Sequence, residues 1–133
     1  RYCYVADTAW MPYGMRSPEV VGKRVEQLYR RVRERFDVGL WVMACNTASA
    51  ALPFNPPGLS PLVADPGQSM RYGLEFVDII RPPLEATLQR SRDEPPGYRV
   101  AVLATESAVK SNRYADVLNR YPHRLDFRQF ACP

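Results

Sequence analysis

Lysine is almost absent: it occurs only at Lys23 and Lys110, so the net charge of +4 is carried by arginine. The chain has a single histidine and three cysteines, Cys3, Cys45 and Cys132, set far apart. An odd, dispersed set argues against a disulfide framework, and no cysteine or histidine stands at metal-ligand spacing. No stretch is long and apolar enough to span a bilayer. Arg1-Tyr2-Cys3-Tyr4 has neither the apolar core nor the small-residue cleavage site of a secretory leader. The expectation is therefore a cytoplasmic protein without membrane association. Positive charge alone would suit nucleic acid or an anionic substrate. The densest run, Arg30-Arg31-Val32-Arg33-Glu34-Arg35, interleaves with core positions of a helix and reads as a solvated face. With no zinc-finger spacing and no aromatic RNA-binding signature, no nucleic-acid partner is expected.

What is present alternates between strand and helix patterns. Tyr2 to Ala6 reads as a strand, and Asp7 to Gly14 as a loop punctuated by Pro12 and Gly14. Ser17-Pro18-Glu19 opens a helix, with Ser17 as N-cap, Pro18 in the first turn and Glu19 matching the helix dipole. Val21, Val25, Leu28, Val32 and Phe36 then recur at helical spacing. Burying five such side chains is worth on the order of 10 kcal/mol before entropy, as an upper bound. Leu40 to Ala44 is a short, bulky, uncharged run, which predicts a strand buried on both faces. Asn46-Thr47-Ala48 follows as a helix start, so Cys45 is expected where a strand ends and a helix begins. Ligands bind at such places in open α/β sheets, and a helix N-terminus favours the thiolate form of a cysteine.

Further on, Pro53 to Gly58 is a loop, Pro61 to Ala64 a short strand, and Asp65-Pro66-Gly67 a turn. Tyr72, Phe76, Ile79 and Ile80 suggest a helix interrupted at Pro82-Pro83, with a second helical piece from Leu84 to about Arg90. Arg99 to Ala104 reads as a buried strand and Thr105 to Lys110 as a loop or helical turn. Ser111 caps a helix whose apolar face is Tyr114, Val117, Leu118 and Tyr121, and Leu125 to Phe130 is a last strand. Alternation of this kind predicts an α/β fold of βαβ units with a mostly parallel sheet. The turn at Asp65-Pro66-Gly67 divides it into parts of two similar α/β domains, 1–65 and 66–133. The chain starts within a strand pattern and ends just after Ala131-Cys132-Pro133, which suggests a piece of a longer protein. Cys3 and Cys132 read as small core residues, and His123, alone at a helix end, as structural.

Three stretches converge in order: Asp7-Thr8-Ala9-Trp10-Met11-Pro12-Tyr13-Gly14, Ala44-Cys45-Asn46-Thr47-Ala48-Ser49-Ala50, and Thr105-Glu106-Ser107-Ala108-Val109-Lys110-Ser111. With Ala131-Cys132-Pro133 they resemble the bacterial glutamate racemases of the aspartate/glutamate racemase family, across nearly the whole chain. Asp65-Pro66-Gly67 stands where that family has a Pro-Gly turn leading into its second domain. The resemblance implies racemisation of glutamate, interconverting the L and D forms for peptidoglycan, by two cysteines that use neither pyridoxal phosphate nor metal. It makes Cys45 the first proton-transfer thiol. It assigns substrate binding to Tyr13 and Gly14, largely through backbone groups, to Asn46 and Thr47 at the helix start, and to Thr105. A small-molecule substrate is the implied partner, and a homodimer is compatible with the resemblance. Removing a proton from one side of an α-carbon and returning one to the other requires an acid/base group on each side.

The departures are specific. The family's Asp-Ser-Gly motif precedes the point where this chain begins, and its Cys-Thr-His motif, with the second thiol, follows the point where it ends. Ala108 stands where a second threonine is common, and the segment from Met70 to Tyr98 is longer than usual. Three other readings compete. One stays in the superfamily: an aspartate or hydantoin racemase, or a single-cysteine decarboxylase. Another is a non-catalytic α/β ligand-binding module, and the last is a nucleic-acid binder read from charge alone.

Overall fold

A computed structural model describes residues 2–52, 75–119 and 125–132. Pro53 to Ala64, Asp65-Pro66-Gly67, Tyr121 and His123 fall outside them, and so do the expectations placed there. The first regular element is α1 (Pro18–Arg33), which starts as its sequence dictates: the Ser17 hydroxyl accepts the Val20 N–H at 3.4 Å, and proline occupies the first turn. Its buried stripe is Val21, Val25, Tyr29 and Val32. Tyr29 therefore takes the place expected of Leu28, and Phe36, beyond the helix end, is 50% exposed.

Strand β1 (Leu40–Met43) leads into α2 (Asn46–Ala51), and β2 (Glu75–Asp78) pairs parallel with β1, Leu40 opposite Glu75 and Met43 opposite Asp78. α3 (Arg81–Arg90) follows directly, with Pro82 and Pro83 in its first turn. β3 (Tyr98–Thr105), α4 (Glu106–Lys110), α5 (Arg113–Leu118) and β4 (Leu125–Cys132) complete the chain. β3 and β4 are parallel along their whole length, from Tyr98 opposite Leu125 to Thr105 opposite Cys132. The expected α/β class with parallel pairing is thus what forms, as two two-stranded sheets among the described residues.

Several local expectations are corrected. Tyr2 to Ala6 makes no ladder with any described strand; Tyr2 and Tyr4 are 98% and 86% exposed, and a strand exists only through a hydrogen-bonded neighbour. The stretch around Phe76 is a strand where a helix was expected, since four residues cannot declare a period and the ladder to β1 decides between them. β1 and β3 are not buried on both faces: Val42 is 62% and Leu103 69% exposed among the described residues. Of the loop or helical turn expected over Thr105 to Lys110, the helical alternative is what forms, as α4 (Glu106–Lys110) capped by Thr105. The residue capping α5 is Asn112, in the left-handed region at φ 56°, which asparagine tolerates better than most residues. Ser111 still contributes, since its hydroxyl accepts the Arg113 N–H at 3.2 Å and donates to the Ala108 carbonyl at 2.6 Å. Cys3 and Cys132 are exposed, not core: Cys3 lies in the unpaired opening segment and Cys132 at the extreme end of β4.

Two apolar clusters hold these elements. One joins Val21, Val25 and Tyr29 of α1 to Ala48 and Leu52, with Trp41 set edge-on to Tyr29 at a ring separation of 5.2 Å. The other joins Ala50 to Ile80, Leu84, Val102, Ala108, Tyr114, Val117, Leu118 and Leu125. Helix α2 contributes to both, so the residues just before it sit at the junction of the two clusters. Gly22 permits this: a Cβ there would stand 2.9 Å from the Ala51 carbonyl oxygen, so the two helices meet at a glycine.

Candidate functional site

The chemistry-bearing residues collect where the strands run out. Cys45 is two residues past the end of β1 and serves as the N-cap of α2, in extended conformation at φ −105° and ψ 119°. The strand-to-helix switch read from sequence is therefore present, and the Cys45 thiol is exposed. Asn46 is exposed beside it, while Thr47 is buried in the first turn of α2. Small residues follow because the helix is pressed between two clusters, and Ser49 satisfies its buried hydroxyl by donating to the Met43 carbonyl at 3.2 Å.

Thr105 closes the other side. It ends β3, caps α4 by accepting the Ala108 N–H at 3.3 Å, and its hydroxyl lies 3.0 Å from that of Thr47. Gly14 rests directly on it: a Cβ at Gly14 would come within 2.9 Å of Thr105 Cγ2 and 3.0 Å of Thr105 Cβ. Only a residue without a side chain allows the loop this close. Thus Gly14, Thr47 and Thr105, three of the residues singled out from sequence, are in mutual contact through Thr105. Asn46 and Cys45 immediately precede Thr47 in the chain.

Tyr13 reaches the site differently. Its hydroxyl donates to Asp7 Oδ2 at 2.5 Å, and Arg24 of α1 grips the same carboxylate with both arms of its fork, Nε to Oδ2 at 2.8 Å and Nη2 to Oδ1 at 2.7 Å. The Arg24 hydrogen bond holds the Asp7 carboxyl below the usual carboxylate range, despite the opposing effect of burial. Burial, then the hydrogen bond to Asp7, then the negative charge of Asp7 push the Tyr13 phenol well above its ordinary value, against the opposing charge of Arg24. Trp10 adds a stacking surface, with the guanidinium carbons of Arg16 and Arg24 at 4.8 and 5.0 Å from its ring centroid. Asp7 and Arg24 were not singled out from sequence. The available signal was an arginine on α1 only three residues after the buried Val21, beside the core stripe instead of on the solvated face.

Among the described residues no group of three or more metal-type side chains comes together, and no helix is long and apolar enough to cross a membrane. The arrangement offers the exposed Cys45 thiol, paired hydroxyls and a closely packed backbone loop at the carboxyl ends of parallel strands, with the exposed Cys132 opposite Thr105 at the end of β4; α/β sheets bind small ligands at such ends.

No protein-family model matches the sequence. Among curated proteins, the glutamate racemase of Gloeobacter violaceus is 30% identical over 130 residues, a match covering 98% of this chain and 42% of that protein. The chain is similar to glutamate racemases over nearly its whole extent. It spans well under half the length of the curated relatives it matches. Solved structures agree on the fold: the Campylobacter jejuni glutamate racemase superposes with a TM-score of 0.68 at 22% identity, covering 95% of this chain and 45% of that one. The Escherichia coli glutamate racemase, solved in complex with L-glutamate and an activator, gives a TM-score of 0.59 at 22% identity, over 93% of this chain and 38% of that one.

Proposed function

We propose that the chain is part of a cofactor-independent amino-acid racemase that interconverts L- and D-glutamate to supply D-glutamate for peptidoglycan. Cys45 is one of its two proton-transfer thiols. The observation that carries this reading is the convergence of Cys45, Thr47, Thr105 and Gly14 at one strand edge, with the Thr47 and Thr105 hydroxyls 3.0 Å apart and Gly14 pressed on Thr105. The similarity to glutamate racemases supports the same chemistry.

In this mechanism the Cys45 thiolate takes the proton from the α-carbon, forming an S–H bond as the C–H bond breaks. The electron pair left on carbon is shared with the substrate carboxylate. A second thiol, on the opposite face, then donates a proton to carbon and is left as thiolate. Backbone groups of Tyr13 and Gly14, with Asn46, Thr47 and Thr105, hold the substrate so that the α-carbon faces the sulfur. Positioned acid/base groups of this kind contribute about 10²–10⁴-fold each. Two α/β units are supported by the two sheets. The site lies in the cytoplasm in this reading, and the working form is compatible with a homodimer.

Incubation with L-glutamate in D₂O tests the reading. A protein joining this chain to a second thiol should exchange the α-proton and form D-glutamate, and Cys45→Ala should abolish both. In this reading neither Cys3 nor Cys132 is the second thiol, so the 133-residue chain by itself should not racemise. Equilibration of the two enantiomers by the chain alone would refute the two-thiol division. Absence of any α-proton exchange in the joined protein would favour a binding module without catalysis.

A further inference from the structure

We propose that Asp7 and Arg24 form a positioning clamp that acts through the Tyr13 hydroxyl to hold the Tyr13–Gly14 backbone against Thr105, and so fixes one wall of the glutamate pocket beside Cys45. The proposal rests on the racemase reading above for the identity of the ligand. Neither residue touches the reacting atoms; both act through Tyr13.

The geometry separates this from a simple tie between loop and helix. An Asp7–Arg24 pair alone would staple the start of the loop to α1. Here the carboxylate is shared: Oδ2 accepts from Arg24 Nε at 2.8 Å and from the Tyr13 hydroxyl at 2.5 Å, while Oδ1 accepts from Arg24 Nη2 at 2.7 Å. The carboxylate and guanidinium are largely withdrawn from water, with side chains 10% and 14% exposed, and charge-assisted bonds are strongest when shielded in this way. The tether is directed at the end of the loop that meets the site. Tyr13 also packs against the cluster of α1 and α2, so ring and hydroxyl are both fixed. One residue on, Gly14 has no slack, since its Cβ position already lies 2.9 Å from Thr105 Cγ2. The Tyr13 carbonyl accepts the Arg16 N–H at 3.0 Å, closing the short turn that carries Gly14. A side chain held at Asp7 therefore sets where backbone groups at 13 and 14 stand relative to Thr105 and Thr47. The loop is otherwise short of regular hydrogen bonding, being built of two three-residue 3-10 turns.

The test is a double-mutant cycle in the isotope-labelled chain, with two readouts. Hydrogen exchange of the Arg16 amide reports the Tyr13–Met15 turn without ligand. Amide shifts of Gly14, Thr47 and Thr105 on titration with L-glutamate report affinity. Arg24→Met and Tyr13→Phe should each speed Arg16 exchange and weaken glutamate binding by about tenfold, the scale of one charge-assisted hydrogen bond. The double variant should be no worse than either single one, because both break the same path, and Arg24→Lys, a point charge without the fork, should fall between wild type and Arg24→Met. Additive effects in the double variant would overturn the proposal. So would unchanged Arg16 exchange in Tyr13→Phe, which keeps the ion pair and the ring and so remains decisive even where Arg24→Met fails to fold. Normal glutamate affinity in variants whose turn has loosened would overturn it as well. Failure of the wild-type chain to bind glutamate would count against the racemase reading, and the exchange cycle would still decide whether the clamp holds the turn.

Discussion

The hydroxyls of Thr47 and Thr105 meet at 3.0 Å although 58 residues separate them in the chain. Thr47 belongs to the helix after β1, and Thr105 ends β3, so this bond links the carboxyl ends of the two sheets. Its loss should be felt unequally. Thr47→Val removes the shared bond and leaves the Thr105 hydroxyl its bond from Ala108, at a cost of about 1 kcal/mol. Thr105→Val also removes the α4 cap and should cost about 2 kcal/mol. Urea unfolding of the two variants gives the comparison, with Thr105→Val the less stable.

Gly14→Ala should be destabilising by about 1–3 kcal/mol, because the new Cβ collides with both Cβ and Cγ2 of Thr105. Thr105→Ser deletes the nearer of those carbons and keeps the hydroxyl. The pair Gly14→Ala with Thr105→Ser should therefore recover part of the loss in a thermal melt, which a purely conformational demand for glycine would not allow.

A second pair of glycines gives an internal control. Gly22→Ala drives a methyl group to 2.9 Å from the Ala51 carbonyl oxygen and must push α1 from α2, whereas Gly39→Ala meets nothing within 4 Å. The first should lower stability by about 1–3 kcal/mol and the second leave it within about 0.5 kcal/mol.

The acid side of the stability profile should carry the signature of Asp7. Its folded-state pKa is depressed, chiefly by the hydrogen bonds from Arg24, so it contributes stability that is fully present above its unfolded value of about 4 and is lost as pH falls through the lower folded value. Arg24→Met removes the main cause of that depression. Urea midpoints measured between pH 2 and pH 6 should fall less steeply on acidification in Arg24→Met than in wild type.

Asp78 joins the end of β2 to two helices. Its Oδ1 accepts the N–H groups of Ile80 and Arg81 at 2.8 and 2.9 Å, fixing the turn that leads into α3, and its Oδ2 lies 3.5 Å from Arg113 Nη2 at the start of α5, with both side chains buried. Asp78→Ala removes the bonds to the Ile80 and Arg81 N–H groups and takes a carboxylate away from a buried guanidinium. It should cost about 3 kcal/mol in chemical denaturation, more than removal of any exposed ion pair such as Arg30–Glu26.

Features that depend on neighbours in sequence were legible before any coordinates. Ser17-Pro18-Glu19 predicted the start of α1, because a capping hydroxyl and a proline act within one turn. An apolar run followed by Asn46-Thr47-Ala48 predicted that Cys45 would stand at a strand-to-helix switch, and alternating patterns predicted parallel α/β pairing. Tertiary structure alone decided the rest. The four residues of β2 have no period of their own, and a ladder to β1 makes them a strand. Exposure of Val42 and Leu103 depends on what packs on each sheet face, which no short window records. The contact of Thr47 with Thr105, the seat of Gly14 and the sharing of Asp7 between Arg24 and Tyr13 each join distant parts of the chain. Hydrogen bonds and close packing depend on position in space, so the chain specified which groups were available and only its folding determined which of them met.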